Sequence, residues 1–165
     1  MIFRMSSAHQ NLSSYSSADL PNVVGKRFAI VTAEWNSEIT FALLAGALET
    51  LKSHGVSEQD IYTHYVPGSF ELVAGGAMAF KKHQPDVVIC LGCVIQGETR
   101  HFDFICNAVA NGLAQLSATH AAPFIFGVLT TDNMEQAKDR SGGKHGNKGV
   151  EAAVTAIKIT KMIDD

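Results

Sequence analysis

The residues best suited to chemistry lie at positions 87–103, where the chain reads VVICLGCVIQGETRHFD. An apolar run ends at a polar, glycine-containing turn, and the turn leads into an amphipathic helix with His101 in its first turn. The free N–H groups and positive dipole end of a helix N-terminus bind phosphate well. An imidazole there can transfer protons, because it titrates near neutral pH. The segment predicts a phosphate-bearing substrate and an acid–base step; the alternative for His101 is an ordinary surface histidine.

Polar and aromatic side chains also follow the other apolar runs of the chain. They are Trp35 and Asn36 after the first run, Ser69, Phe70 and Glu71 after the second, and Thr130, Thr131 and Asp132 after the fourth. Ligands of open α/β sheets bind past the carboxyl ends of the strands, so we expect these groups at one edge. Two alternatives stay open: Trp35, the only tryptophan, as a core anchor, and Glu71 as a partner of a helix dipole.

Two basic residues, Arg140 and Lys148, lie within a Gly-rich break at residues 140–149, which reads RSGGKHGNKG. The break is not a P-loop, because it follows a helical pattern and lacks the G-K-[ST] ending. Judged by spacing alone, we predict that both basic residues are solvated, with an anion-binding site as the alternative. His101 and Asp103 are two positions apart and cannot share a helix face as metal ligands would. No metal site is predicted.

The hydrophobic periodicity alternates between strand and helix patterns. Predicted strands cover residues 27–33, 60–66, 123–130 and the run before His101. The first predicted helix runs from Asn36 or Ser37 to Gly55, and the second covers residues 69–82. The third begins at the turn before His101, and the fourth begins at a capping box formed by Asp132 and Glu135. The last predicted helix ends at about Met162. This alternation predicts an α/β fold: a three-layer αβα sandwich with a four-stranded parallel, flavodoxin-like sheet and helices on both faces.

Size and composition restrict the class of protein. A chain of 165 residues with 46% hydrophobic and 18% charged residues is typical of a soluble globular protein. The net charge of −3 indicates neither a nucleic acid partner nor a membrane partner. No apolar stretch approaches the ~18 residues of a membrane span, and the first residues lack the apolar centre of a signal peptide. We therefore expect a cytoplasmic protein.

The cysteines favour the same location. Cys90, Cys93 and Cys106 are an odd number in a chain long enough to form a core without disulfides, so reduced thiols are expected. Cys90 and Cys93 spell C-x-x-C, but residues three apart in a strand point to opposite faces. We predict buried apolar cysteines, with a redox pair or zinc site as the alternative.

The first 25 residues differ from the rest of the chain. They are polar and Ser-rich and show no helical pattern. We interpret residues 1–25 as an N-terminal arm that docks on a neighbouring subunit, with a transit peptide as the alternative. Residues 26–165 form the predicted single domain. The open edges of a four-stranded sheet favour such docking or assembly.

Four blocks of sequence carry a resemblance to a known family. They are Glu34-Trp35-Asn36 followed by Ile39-Thr40, VPGSFEL at residues 66–72, GCVIQGETRHFD at residues 92–103, and FGVLTTDNMEQAKDRSGGKHGNKGVEAA at residues 126–153. Their order and spacing, from residue 26 to the end, resemble those of the lumazine synthases of riboflavin biosynthesis. Any one block alone is a weak signal, whereas the four together are specific.

The resemblance implies a reaction. 5-Amino-6-(D-ribitylamino)uracil would condense with 3,4-dihydroxy-2-butanone 4-phosphate through a Schiff base. Phosphate would then be eliminated, and the ring would close with loss of water to give 6,7-dimethyl-8-ribityllumazine. The family uses neither a metal nor an organic cofactor, and its members are transferases.

The resemblance also implies residue roles within one subunit. Trp35 would stack on the pyrimidine ring, Ser69, Phe70 and Glu71 would hold its pyrimidine and ribityl parts, and the backbone of Cys93, Val94 and Ile95 would contact the ring. Glu98 and Thr99 would hold the phosphate through N–H groups of the turn, and His101 would move protons.

A neighbouring subunit completes the site in this family. The site lies between subunits of a pentamer, so Phe126, Arg140 and Lys148 would enter from the next subunit, with Arg140 on the phosphate. This reverses the solvated interpretation of the two basic residues. The short segment 140–148 favours a 60-subunit shell, with a pentamer or decamer as the alternative. Riboflavin synthase is a further implied partner.

The chain departs from the family pattern at three positions. Trp35 stands where phenylalanine is frequent, Gln96 where a basic residue is common, and Arg100 where a small residue or proline is usual. Two alternative functions stay open: a relative that binds a flavin or cages a partner with little turnover, and a flavodoxin-like electron carrier. The carrier needs a phosphate loop after the first strand, and Trp35-Asn36-Ser37 is a poor match.

Overall fold

Four parallel strands in the order β2-β1-β3-β4 form the central sheet in a computed structural model that describes residues 11–164. The strands are β1 (Phe28–Ala33), β2 (Ile61–Val66), β3 (Val87–Ile95) and β4 (Phe124–Thr131). The helices are α1 (Ser37–Ser53), α2 (Leu72–His83), α3 (His101–His120), α4 (Met134–Asp139), α5 (Lys148–Ile159) and α6 (Lys161–Asp164). An antiparallel hairpin of β5 (Ser141–Gly143) and β6 (Gly146–Asn147) separates α4 from α5.

Both faces of the sheet are covered by helices, which confirms the predicted fold class. Strands buried on both faces form continuous apolar runs, and every residue of β1 is buried. One face packs against α1 and α5 through Ile30, Ile89, Leu43, Leu51 and Ile157. The other face packs against α2 and α3 through Val31, Val88, Leu72, Val109 and Leu113. The parallel register brings the carboxyl ends of β1, β2 and β3 to one edge.

The predicted element bounds are nearly correct, with local exceptions that have physical reasons. The predicted helix over 69–82 opens as a 3-10 turn, Ser69–Glu71, before α2 begins at Leu72. The last helix does not run unbroken to Met162: α5 ends at Ile159, where the Thr160 hydroxyl donates to the Ile157 carbonyl at 2.7 Å.

The predicted capping box of Asp132 and Glu135 is wrong by one residue. Strand β4 continues to Thr131, which pairs with Ile95, so the next helix begins later than expected. Asn133 is the N-cap of α4 and accepts a hydrogen bond from the Gln136 N–H at 2.9 Å. The Gln136 side chain in turn accepts from the Asp132 N–H at 3.0 Å.

The described part of the predicted arm, residues 11–25, contacts its own chain. The Leu12 N–H donates to the His145 carbonyl at 2.8 Å, within the β5–β6 connection. Val23 is fully buried in the core beneath α1 and α5. The rest of the predicted arm, residues 1–10, lies outside the described residues. Among residues 11–164, no helix combines the length and the apolar character that a membrane span requires.

Candidate active site

A cavity of about 630 Å³ opens at the carboxyl edge of the sheet. Its walls come from the segments after β1 and β2, the end of β3, the turn that follows β3, and the beginning of α3. The predicted site residues that line it are Trp35, Ser69, Phe70, Glu71, Cys93, Val94, Ile95, Thr99 and His101. The parallel topology therefore brings together residues that are up to 66 positions apart in the sequence, from 35 to 101.

The β1–α1 turn holds Trp35 at the cavity mouth. The N–H groups of Glu34 and Trp35 donate to carbonyls of Val66 and Pro67 at 2.8 and 3.0 Å, which continues the β1–β2 ladder past the strands. The Trp35 side chain is 74% exposed, so it is not the core anchor that the sequence left open. An exposed indole at a cavity mouth presents a flat apolar face to a planar ligand.

Asn36 follows Trp35 in an unexpected conformation. Its φ of 59° and ψ of 45° are left-handed, a region that asparagine tolerates better than most residues. Its side chain does not cap α1 as predicted. The amide Nδ2 instead donates to the Cys93 carbonyl at 3.0 Å and ties the β1–α1 turn to the end of β3.

The 3-10 turn after β2 contributes a buried hydroxyl and an exposed ring. The Ser69 side chain is buried, and its Oγ has no hydrogen-bond partner among the described residues. Such a group normally finds a partner in a ligand or an ordered water. Phe70 is 55% exposed, and Glu71 places a carboxylate in the same wall. The turn can therefore offer both donors and acceptors to a polar ligand.

The cysteines of β3 have no redox or metal-binding character. Cys93 packs in the core that faces α1 and α5, whereas Cys90 packs in the core that faces α2 and α3. Burial raises the pKa of Cys90 to about 12 and that of Cys93 to about 11, so both thiols stay protonated at neutral pH. The prediction of buried apolar cysteines is confirmed.

The turn between β3 and α3 presents backbone N–H groups and His101 to solvent. Gln96 closes this turn: its N–H donates to the Thr131 carbonyl at 2.8 Å, and its Nε2 donates to the Gly97 carbonyl at 2.7 Å. The His101 N–H lies 3.4 Å from the Thr99 Oγ. His101 is exposed at the first position of α3, as predicted. A positioning role for Gln96 was not predicted, because its carbonyl partners come together only in the folded turn.

The remaining predicted site residues do not line the cavity of their own chain. Glu98 lies in the turn, outside the lining, and Phe126 lies on edge strand β4 opposite Cys90. Arg140 follows α4, where its guanidinium donates to the Gln136 carbonyl at 3.1 Å. Lys148 begins α5, and its ammonium lies 2.5 Å from the Glu151 carboxylate. The lining formed by residues 11–164 contains no lysine or arginine.

No group of three or more His, Cys, Asp or Glu side chains in the described part of the chain is arranged to hold a metal ion. The cavity therefore offers hydroxyl, carboxylate, imidazole and aromatic groups together with the N-terminus of α3. These groups can bind a planar polar ring, hold an anion through backbone N–H groups and transfer protons.

Comparisons with known proteins identify the family of the chain. The family model described as 6,7-dimethyl-8-ribityllumazine synthase matches residues 25–164. The chain is 59% identical over 155 residues to the 6,7-dimethyl-8-ribityllumazine synthase of Cytophaga hutchinsonii, covering 94% of this chain and 97% of the relative. It is 50% identical over 158 residues to that of Parabacteroides distasonis, covering 96% and 99%. The chain belongs to the 6,7-dimethyl-8-ribityllumazine synthase family.

Proposed function

We propose that the cavity at the carboxyl edge of the sheet is the site where this protein makes 6,7-dimethyl-8-ribityllumazine. The protein is a transferase of riboflavin biosynthesis, like the family to which it belongs. It condenses 5-amino-6-(D-ribitylamino)uracil with 3,4-dihydroxy-2-butanone 4-phosphate and releases phosphate and water. The electron-carrier alternative is excluded by the family membership. The steps are a condensation and an elimination without net oxidation, so the reaction needs no redox cofactor.

The pyrimidine substrate binds to the wall formed after β1 and β2. Trp35 stacks on the ring, and Ser69, Phe70 and Glu71 hold the pyrimidine and ribityl groups. The backbone of Cys93, Val94 and Ile95 lies along the ring edge. The partnerless Ser69 hydroxyl supports this assignment, because a hydrogen-bonding substrate would satisfy it. The exposed Trp35 ring supports it as well.

The butanone phosphate binds at the start of α3. The N–H groups of Glu98 and Thr99 and the helix dipole hold the phosphate. His101 moves the protons: Schiff-base formation takes a proton from the amine, and elimination of phosphate takes one from carbon. Fixed positive groups stabilise the charge that develops on the departing phosphate.

The positive groups come from a neighbouring copy of the chain. The single observation that carries this proposal is the absence of any lysine or arginine from the cavity lining within residues 11–164. A dianionic phosphate needs such a partner, and guanidinium–phosphate pairs are strong. Arg140 and Lys148 of the next subunit supply the charge, and Phe126 of that subunit closes the apolar wall.

The assembly is a homo-oligomer built on a pentamer. We favour a 60-subunit shell, because the segment between Arg140 and Lys148 forms only a short hairpin. The protein acts in the cytoplasm, and riboflavin synthase, which uses the product, is a candidate partner.

Subunit mixing tests the shared site. The variants His101→Ala and Lys148→Ala alter opposite sides of a pocket formed between two copies, and each is expected to lose most activity. Unfolding and refolding the two together should restore roughly one pocket in four, because a random mixture places both native residues at that share of interfaces. Lumazine fluorescence measures the recovered rate against that of refolded native protein.

A matched mixture provides the control. His101→Ala and Ser69→Ala alter the same side of the pocket, so their mixture should regain no activity beyond that of Ser69→Ala alone. A site confined to one chain would leave the first mixture without recovery, which would contradict the proposal. Absence of lumazine formation by the native, assembled protein would favour the binding-shell alternative instead.

A further inference from the structure

Asn147 uses its backbone N–H and both polar atoms of its side chain to join three parts of the chain. Its Oδ1 accepts from the N–H groups of Gly149 and Val150, at 2.8 and 3.4 Å, and so caps α5. Its Nδ2 donates to the Ala42 carbonyl of α1 at 3.0 Å. Its backbone N–H donates to the Ser13 Oγ at 3.0 Å. One residue therefore connects the start of α5, the middle of α1 and the N-terminal segment.

The packing around the Asn147 side chain is close. A Cβ at Gly46 of α1 would lie 2.8 Å from the Asn147 Cγ. A Cβ at Gly149 would lie 1.9 Å from the Leu43 carbonyl oxygen. Two glycines thus let the first turn of α5 approach the backbone of α1 closely, and the Asn147 amide fills the space between them. The start of α5 is held by contacts on both sides.

Arg140 and Lys148 are attached directly to this junction. Lys148 follows Asn147 in sequence, and its N–H donates to the Arg140 carbonyl at 2.8 Å. The Lys148 ammonium is further held by Glu151. The backbones of the two basic residues are therefore joined to each other. The hydrogen bond from Asn147 to Ala42 ties the start of α5, where Lys148 lies, to α1.

We propose that Asn147 is a positioning residue that sets where Arg140 and Lys148 meet the substrate phosphate. The inference rests on the proposed function of those two basic residues. A helix cap alone needs only the acceptor Oδ1, as in Asn133 of α4, whose Nδ2 has no acceptor among the described residues. The donation from Asn147 to Ala42 is additional, and it connects the basic pair to the scaffold.

The substitution Asn147→Ser separates the two roles, because serine keeps an N-cap acceptor but lacks the amide donor. A displacement of the basic pair by about 1 Å costs up to ~10²-fold in rate, so we expect kcat to fall at least about tenfold. The KM for the butanone phosphate should rise. The KM for the ribitylaminouracil, which binds on the other wall, should stay within about twofold. A purely structural role would reduce the active fraction and leave both KM values unchanged.

Asn133→Ser makes the same chemical change at the cap of α4 and is the matched control, with both KM values and kcat expected within about twofold of native. Gly46→Ala is an independent variant, since its methyl group displaces the Asn147 side chain while leaving that residue intact. It should raise the same KM as Asn147→Ser. Light scattering and thermal unfolding establish that each variant is folded and assembled.

The outcomes distinguish the two proposals. Native values of kcat and of the phosphate KM in Asn147→Ser, together with a clear loss in Lys148→Ala, would overturn the positioning role and leave the proposed function standing. An unaffected Lys148→Ala variant would overturn both. A selective rise of the phosphate KM in Asn147→Ser and Gly46→Ala, absent in Asn133→Ser, would establish the positioning role.

Discussion

Individual residues of the cavity differ sharply in how far the fold buries them. Ser69 has a buried hydroxyl with no hydrogen-bond partner among residues 11–164, which costs about 1–3 kcal/mol unless a ligand or water satisfies it. Trp35 has the opposite character, because most of its surface is in solvent. Both are unfavourable for an isolated chain, and both are useful for binding a flat, polar substrate. A contribution to folding stability therefore does not explain why a serine and a tryptophan occupy these two positions.

Trp35 permits a test at this scale. Trp35→Ala should raise the KM for the ribitylaminouracil several-fold, because a stacked aromatic pair contributes about 0.5–1.5 kcal/mol beyond area burial. The exposed ring adds little to stability, so the midpoint of thermal unfolding should hardly change. Trp35→Phe retains a stacking ring and is the matched control. Since Trp35 is the only tryptophan, its fluorescence should also change when the pyrimidine binds the native protein.

A native KM in Trp35→Ala would contradict the stacking role. A large loss of stability in the same variant would contradict the interpretation of the Trp35 indole as a surface group, whatever the value of KM.

Elements are fixed to one another by close backbone approaches that local sequence patterns do not reveal. Strand β3 passes the 3-10 turn so closely at Gly92 that a Cβ there would lie 2.6 Å from the Ser69 Oγ. The β1–α1 turn is likewise tied to β3 by the Asn36 amide. These contacts set the relative positions of three cavity walls.

Gly92→Ala tests the first of these contacts. The added methyl group overpacks the space beside Ser69, so the free energy of unfolding should fall by about 1–3 kcal/mol. Gly97→Ala, in the neighbouring turn, adds the same group where nothing lies within 4 Å, and its effect on stability should be within about 0.5 kcal/mol. Denaturant unfolding measures both. Equal stability of the two variants would contradict the packing argument.

A histidine pair joins β2 to the end of α2 and predicts a pH effect. His64 Nε2 lies 2.7 Å from His83 Nε2, and the His83 ring stacks on Tyr62. Burial lowers the pKa of both histidines below 6.5, with contributions from Lys82 in each case and from His64 on His83. The unfolded chain therefore binds more protons than the folded one below that pH.

The contribution of this pair to the free energy of unfolding should be fully present above pH 6.5, the pKa of histidine in the unfolded chain. It should decline as the pH falls through the lower pKa values of the two histidines in the folded protein. Thermal unfolding measured from about pH 8 to about pH 5 should show this decline in stability. The double variant with His64→Gln and His83→Gln should show a smaller decline over the same pH range. An identical pH dependence in the double variant would contradict the assignment.

The whole molecule exposes apolar side chains that a single copy does not cover. Phe104 on α3 is 72% exposed and Met78 on α2 is 70% exposed. Together with the cation-free cavity, they favour association between copies. Under the proposed function, the active site needs a neighbouring copy as well as the fold of one chain.

Dilution tests that dependence. If the pocket forms between copies, activity per mole of chain should fall when the protein is diluted below its dissociation range, because separated copies lack the neighbouring Arg140 and Lys148. Light scattering follows the assembly over the same series. A monodisperse, fully active monomer would contradict the shared pocket.

The sequence alone determined the elements and most of the cavity, because both depend on local patterns. The apolar runs of β1 and β3 require burial on both faces, and strands in βαβ units must run parallel with their carboxyl ends at one edge. That topology is sufficient to bring Trp35, Ser69 and His101 to the same cavity. The resemblance added the reaction and the expected role of each residue.

Only the tertiary structure decided the features that depend on contacts between distant segments. The Asn36 side chain and the Asn147 side chain each bond to a residue more than 20 positions away in the chain. The buried Ser69 hydroxyl lies close to Gly92, which is also more than 20 positions away. The absence of Arg140 and Lys148 from the cavity lining of their own chain is of the same kind. Periodicity reports which face of an element is buried, but it carries no information on which atom of another element lies opposite.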